Sequence, residues 1–100
     1  MKVKDAVLKA ILYTKDIFEF ENISNLGLEE VVFDDSKNEW VVTIGFSRPW
    51  DYPASEMFPG LNQPSNPKRS FKMVRINDVS GEVVAVKNRM VGDQLAADNY

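Results

Sequence analysis

The chain has 100 residues, enough for one domain with one core. It holds no cysteine and no histidine, which excludes a disulfide framework, thiolate chemistry, the commonest zinc ligand and the Ser-His and Cys-His dyads. A net charge of −3 with 44% hydrophobic residues fits a globular protein and argues against a dedicated binder of duplex nucleic acid, which is usually basic.

Residues from about Val3 to Phe20 read as a helix. Val3, Val7, Ala10, Ile11, Thr14, Ile17 and Phe18 recur at three- and four-residue spacings and make an apolar stripe, which Ala6, Leu8 and Leu12 widen. Lys2, Lys4, Lys9, Lys15, Asp16 and Glu19 fill most of the other side. Asn25 and Gly27 are the expected stop. A helix covering a sheet is the reading preferred over a membrane-surface helix, because strands follow that need a cover. No apolar run reaches the length of a membrane helix. Asp5, Lys9, Lys15 and Asp16 break up any export-signal core, so a cytoplasmic location is expected.

Leu28 to Phe33 reads as the first strand. Asp34-Asp35-Ser36-Lys37-Asn38 is a polar turn. Its alternating oxygens do not make an EF-hand, since Glu39 stands where the glycine belongs and Gly45 where the bidentate glutamate belongs. The next strand, Trp40 to Ser47, carries the largest one-sided apolar load: Trp40, Val42, Ile44 and Phe46 share one face. Each is worth roughly 1.5–3 kcal/mol when buried, an upper estimate, so the core is expected against this strand.

All five prolines fall in a loop spanning residues 49–70. It also holds Trp50, Tyr52, Met57, Phe58 and Leu61, so it is not composed like a disordered linker. Two readings stand: these aromatics plug the open end of the core, or they form an adhesive rim for a partner. Phe71 to Ile76 and Glu82 to Lys87 read as two more strands, joined by Asn77-Asp78-Val79-Ser80-Gly81. The tail, residues 90–100, reads as frayed or as one helical turn around Gln94-Leu95-Ala96-Ala97.

The expected fold is therefore α+β: an N-terminal helix packed on a four-stranded antiparallel meander, in a single domain. A meander sorts the strand ends into two poles. One collects Asp34, Asp35, Glu39, Asp78 and Glu82. The other collects Arg48, Lys68, Arg69, Lys87 and Arg89 beside Trp50, Tyr52 and Phe58. Aromatics beside guanidinium groups suit an acidic peptide, an anionic ligand or a single nucleic-acid strand, which makes this pole the candidate binding end. One helix covers one face of a sheet, so the other face, with Val41 and Thr43, is expected to be semi-apolar and open to a homodimer.

No motif supports catalysis. There is no phosphate loop, nucleophile elbow or metal-ligand cluster, and no cofactor is expected. Glu29 and Glu30 are neighbours in a strand, so they are expected to face opposite ways and not to cooperate.

The segment Ile76-Asn77-Asp78-Val79-Ser80-Gly81-Glu82-Val83 resembles the terminal hairpin of PepSY-like domains, with Phe71-Lys72-Met73-Val74-Arg75 as the strand leading into it. A helix followed by such a sheet also resembles the wider cystatin-like architecture. The resemblance implies protease inhibition or regulation. Asn77 departs from the usual acid, the proline-rich insertion is foreign to the pattern, and no functional residue carries over. The expected function is a small non-catalytic interaction or regulatory protein, inhibitor- or immunity-like, with an unidentified protein partner. The alternative is a domain holding a small ligand between helix and sheet, under Trp50.

Overall fold

The computed structural model describes residues 1–51 and 68–89. Helix α1 (Val3–Ile17) is followed by a single 3-10 turn, Glu19–Glu21, and then by β1 (Ser24–Asp34), β2 (Glu39–Ser47), β3 (Ser70–Asn77) and β4 (Val83–Arg89). The strands form one antiparallel sheet in the order β1-β2-β3-β4, with α1 across one face, as the periodicity predicts. No helix among the described residues is long and apolar enough to cross a membrane.

The helix starts where the Asp5 carboxylate accepts the Lys2 backbone N–H at 3.3 Å. It ends before Phe18, earlier than predicted. Asn22 (φ 51°), not Asn25 or Gly27, takes the left-handed conformation that stops the helical path. The chain gained by that early stop lengthens β1 by four residues at its start, to Ser24. Asn25 (φ 54°) and Gly27 instead belong to a strand irregularity between Ser24 and Gly27.

The helix lies close to the sheet because its contact stripe is small: Ala6, Ala10 and Thr14 are fully buried. The Thr14 hydroxyl donates to the Ala10 carbonyl at 2.8 Å, so its burial leaves no polar group unmet. Opposite stand Val42, Ile44, Phe46, Val74 and Ile76, all fully buried. Ile11, Phe18, Ile23, Leu26, Val31, Trp40, Val83 and Val86 close the margins. The apolar face predicted for β2 is thus the centre of the core. Trp40 is its half-buried end member, packed edge-on against Phe33 with ring centres 5.0 Å apart. Leu8 and Leu12, read as part of the apolar stripe, lie on the exposed side of α1.

The two tight turns meet at one pole, where the Asp78 N–H donates to the Asn38 carbonyl at 3.0 Å. In the β3–β4 connection the Asn77 side chain accepts the N–H groups of Val79 and Ser80, both at 2.9 Å, and Gly81 takes φ 73°. The opposite pole gathers the end of α1, the end of β2, the start of β3 and the end of β4.

The face of the sheet away from the helix mixes apolar residues, among them Val32, Val41 and Met73, with charged ones. Thr43 is 1% exposed there and Glu39 is buried. Arg75 on β3 pairs with Glu39 at 2.7 Å, Arg89 with Glu30 at 3.0 Å and Arg69 with Glu29 at 3.2 Å. Long charged side chains from β1, β3 and β4 therefore lie across the centre of that face.

Candidate functional site

The basic pole begins with Arg48, the first residue beyond β2. Its guanidinium lies 5.2 Å from the Phe46 ring centre and 5.6 Å from those of Phe18 and Trp50. Its Nε donates to Glu21, and its Nη1 donates to the Ser70 hydroxyl at 2.9 Å. Arg48 is thus held by three aromatic rings, a carboxylate and a hydroxyl. Most of its capacity serves to join the helix end to the sheet.

A short 3-10 turn follows, Pro49–Asp51, in which the Asp51 carboxylate accepts the Arg48 backbone N–H at 2.7 Å. The Lys68 N–H donates to the Asp51 carbonyl at 3.0 Å, and the buried Ser47 hydroxyl donates to the Lys68 carbonyl at 2.9 Å. The chain therefore leaves at Asp51 and returns at Lys68 beside the same strand end. Tyr52 and Phe58 of the predicted site, the rest of the proline-rich stretch, and the tail around Gln94 lie outside the described residues.

Between the start of β3 and the end of β4 is an open cleft of about 440 Å³, lined by Arg48, Arg69, Ser70, Phe71, Lys72, Asn88 and Arg89. Arg48, Arg69 and Arg89 of the predicted site come together here. Lys68 and Lys87 do not line it. Lys68 instead contributes backbone hydrogen bonds to the neck of the loop. Trp50 is 67% exposed beside Arg48, as an adhesive rim requires. Phe20, in the 3-10 turn that also carries Glu21, is 93% exposed and adds an aromatic that the sequence reading passed over as the end of a helix.

Two further lining residues, Lys72 and Asn88, were missed as well. Lys72 pairs across the ladder with both Ile44 and Asn88, a register that alternation along β3 alone does not reveal. Its ammonium donates to the Asn88 carbonyl oxygen and sits 5.5 Å from the Phe18 ring centre. Burial pushes the Lys72 pKa below its usual value; the charge of Arg48 adds to this and Glu21 opposes it. Among the described residues Lys72 has no carboxylate within ion-pairing distance.

The pole is not purely basic. Glu21, Glu29 and Glu30 reach Arg48, Arg69 and Arg89 respectively. The expectation that Glu29 and Glu30 point apart fails because the pairing slips between Leu28 and Glu30, which leaves Glu29 as an extra residue on β1. Both carboxylates then meet arginines above the same face. Among the described residues, the four cleft cations meet three carboxylates, and Lys72 is the unmatched member.

No family model, curated protein or solved structure matches the chain.

Proposed function

We propose that this is a non-catalytic interaction protein that engages a protein partner through the pole formed by the ends of β2, β3 and β4. The observation that carries the reading is the cleft itself. Arg69, Lys72 and Arg89 line an open concavity, next to an exposed Trp50 and to the hydrogen-bonded pair Asp51 and Lys68. Exposed aromatic and arginine side chains around a concave patch are the residue types that dominate interface energetics. A blocking role, inhibitor- or immunity-like, is the concrete form we give it. It agrees with what is implied by the resemblance of the β3–β4 hairpin to PepSY-like domains and of the helix and sheet to the cystatin-like architecture.

The alternative, a ligand held between helix and sheet, meets tight packing. The residues that face one another there, Ala6, Ala10 and Thr14 against Val42, Ile44 and Phe46, are all fully buried. A homodimer through the far face would have to cover the Glu39–Arg75, Glu30–Arg89 and Glu29–Arg69 pairs together with apolar residues such as Val32 and Met73.

The test is affinity capture from lysate of the source organism with the wild-type chain and with a variant carrying Arg69→Glu and Arg89→Glu. Far-UV circular dichroism confirms that both are folded. The reading expects proteins retained by the wild type and lost by the variant. Identical captured sets from both would overturn it.

A further inference from the structure

Of the cations that line the cleft, Lys72 is the one without a carboxylate partner among the described residues. Its acceptor is the side-chain oxygen of Asn88, a neutral group on an exposed residue of an edge strand. The ammonium has three N–H donors, and a carboxylate offers it a full opposite charge that the neutral Asn88 oxygen does not. An incoming carboxylate therefore has reason to join or replace the Asn88 oxygen. The Asn88 side-chain N–H groups are then free to donate to the carboxylate's second oxygen. Arg48 lies above the same face, over the same Phe18 ring, and adds a second positive charge nearby, whereas Arg69 and Arg89 line the cleft from the other face of the sheet. The Phe18 ring, its centre 5.5 Å from the Lys72 ammonium, supplies an apolar wall.

We infer that the cleft at the ends of β3 and β4 binds an aspartate or glutamate carboxylate on an acidic segment of a partner protein, with Lys72 as the primary contact and Asn88 and Arg48 around it. This rests on the proposed interaction role and names its chemistry. The charge count favours a carboxylate over a nucleic-acid strand. Three of the four lining cations already have carboxylate partners, leaving one uncommitted. A phosphodiester backbone needs a run of uncommitted cations.

The experiment titrates a fluorescein-labelled hexaglutamate peptide against the wild-type chain, Lys72→Met and Lys72→Arg, with a short oligothymidylate as competitor. Thermal melts establish that each variant is folded. Loss of one charge-assisted hydrogen bond predicts weaker peptide binding by about tenfold in Lys72→Met. Lys72→Arg keeps the charge and restores binding to within about threefold of wild type. Peptide binding in Lys72→Met equal to wild type would overturn the inference. So would an oligothymidylate that binds more tightly than the peptide. If Lys72→Met leaves peptide binding intact while Arg69→Glu with Arg89→Glu abolishes partner capture, the carboxylate assignment falls and the interaction role stands. If the peptide needs Lys72 but capture ignores the arginines, the assignment stands and the proposed role falls.

Discussion

The guanidinium of Arg69 lies directly over Gly45. A Cβ placed on Gly45 would stand 2.6 Å from Nη2, 3.0 Å from Nε and 3.1 Å from the Phe71 ring edge. Gly27, its ladder partner on β1, lies under the same guanidinium, with a Cβ position 3.6 Å from Nη2. The two glycines form a floor on which Arg69 reaches across β2 to Glu29. Gly45→Ala is expected to displace the arginine and to lower stability by about 1 kcal/mol, the lower end of overpacking costs, because the displaced atoms end a flexible side chain. Urea unfolding checks the stability.

Arg48 and Arg89 both line the cleft but differ in what holds them. Arg48 sits among three aromatic rings with a carboxylate and a hydroxyl, whereas Arg89 makes an exposed pair with Glu30 and a long contact to Thr43. Arg48→Ala is expected to cost about 2 kcal/mol through lost cation–π and hydrogen-bond contacts. Arg89→Ala is expected to cost under about 1 kcal/mol, as for exposed ion pairs. Equal urea midpoints for the two variants would remove the distinction between a structural and a presented arginine.

At the opposite pole the Trp40 indole N–H donates to Asp78 at 2.8 Å, and the Met1 ammonium lies 3.3 Å from the same oxygen. The indole bond first, and the ammonium with it, hold the Asp78 pKa below its usual value. A carboxylate with a depressed folded-state pKa contributes stability that is present above its unfolded value and lost as pH falls through the folded one. Asp34 acts in the same direction, chiefly through the hydroxyl of Ser36. Asp78→Asn should therefore flatten the acid limb of the stability–pH curve below the ordinary aspartate range. Tryptophan fluorescence, with Trp40 as the reporter at this pole, follows the transition. An unchanged acid limb in Asp78→Asn would contradict this assignment.

Lys72 carries the reverse signature. Its folded-state pKa is lowered, chiefly by burial, so the charged form costs stability at neutral pH and the cost lifts as pH rises from the folded towards the unfolded value. Lys72→Met should then leave the urea midpoint at neutral pH unchanged or raised. A lysine whose surroundings disfavour its charge while it lines a cleft is a candidate for binding. A clear drop in the midpoint would assign Lys72 to the fold instead.

Much of the fold was legible because β2 alternates so strongly and because Asn77 and Gly81 have turn chemistry that admits few alternatives. The end of α1 was not, since nothing in Phe18-Glu19-Phe20 breaks helical periodicity; only the left-handed Asn22 marks it. The basic pole was legible from chain order alone, as strand ends sort by direction. Its compensation was not. One extra residue at Glu29 turns two carboxylates toward the same arginines, and a bulge leaves no clear mark in a run such as Leu28-Glu29-Glu30-Val31. Lys72 and Asn88 were hidden for a related reason: cross-strand partners depend on register, which alternation within one strand does not fix.

The most direct measurement is a nitrogen-15 correlation spectrum of the wild-type chain titrated with hexaglutamate. Binding at the ends of β3 and β4 predicts that the largest shifts fall at residues 69–72 and 88–89, with the Asn88 side-chain amide among them. Shifts centred on the Asn38 and Asp78 turns, or on the exposed Leu8 and Leu12 side of α1, would place the binding end elsewhere on the molecule.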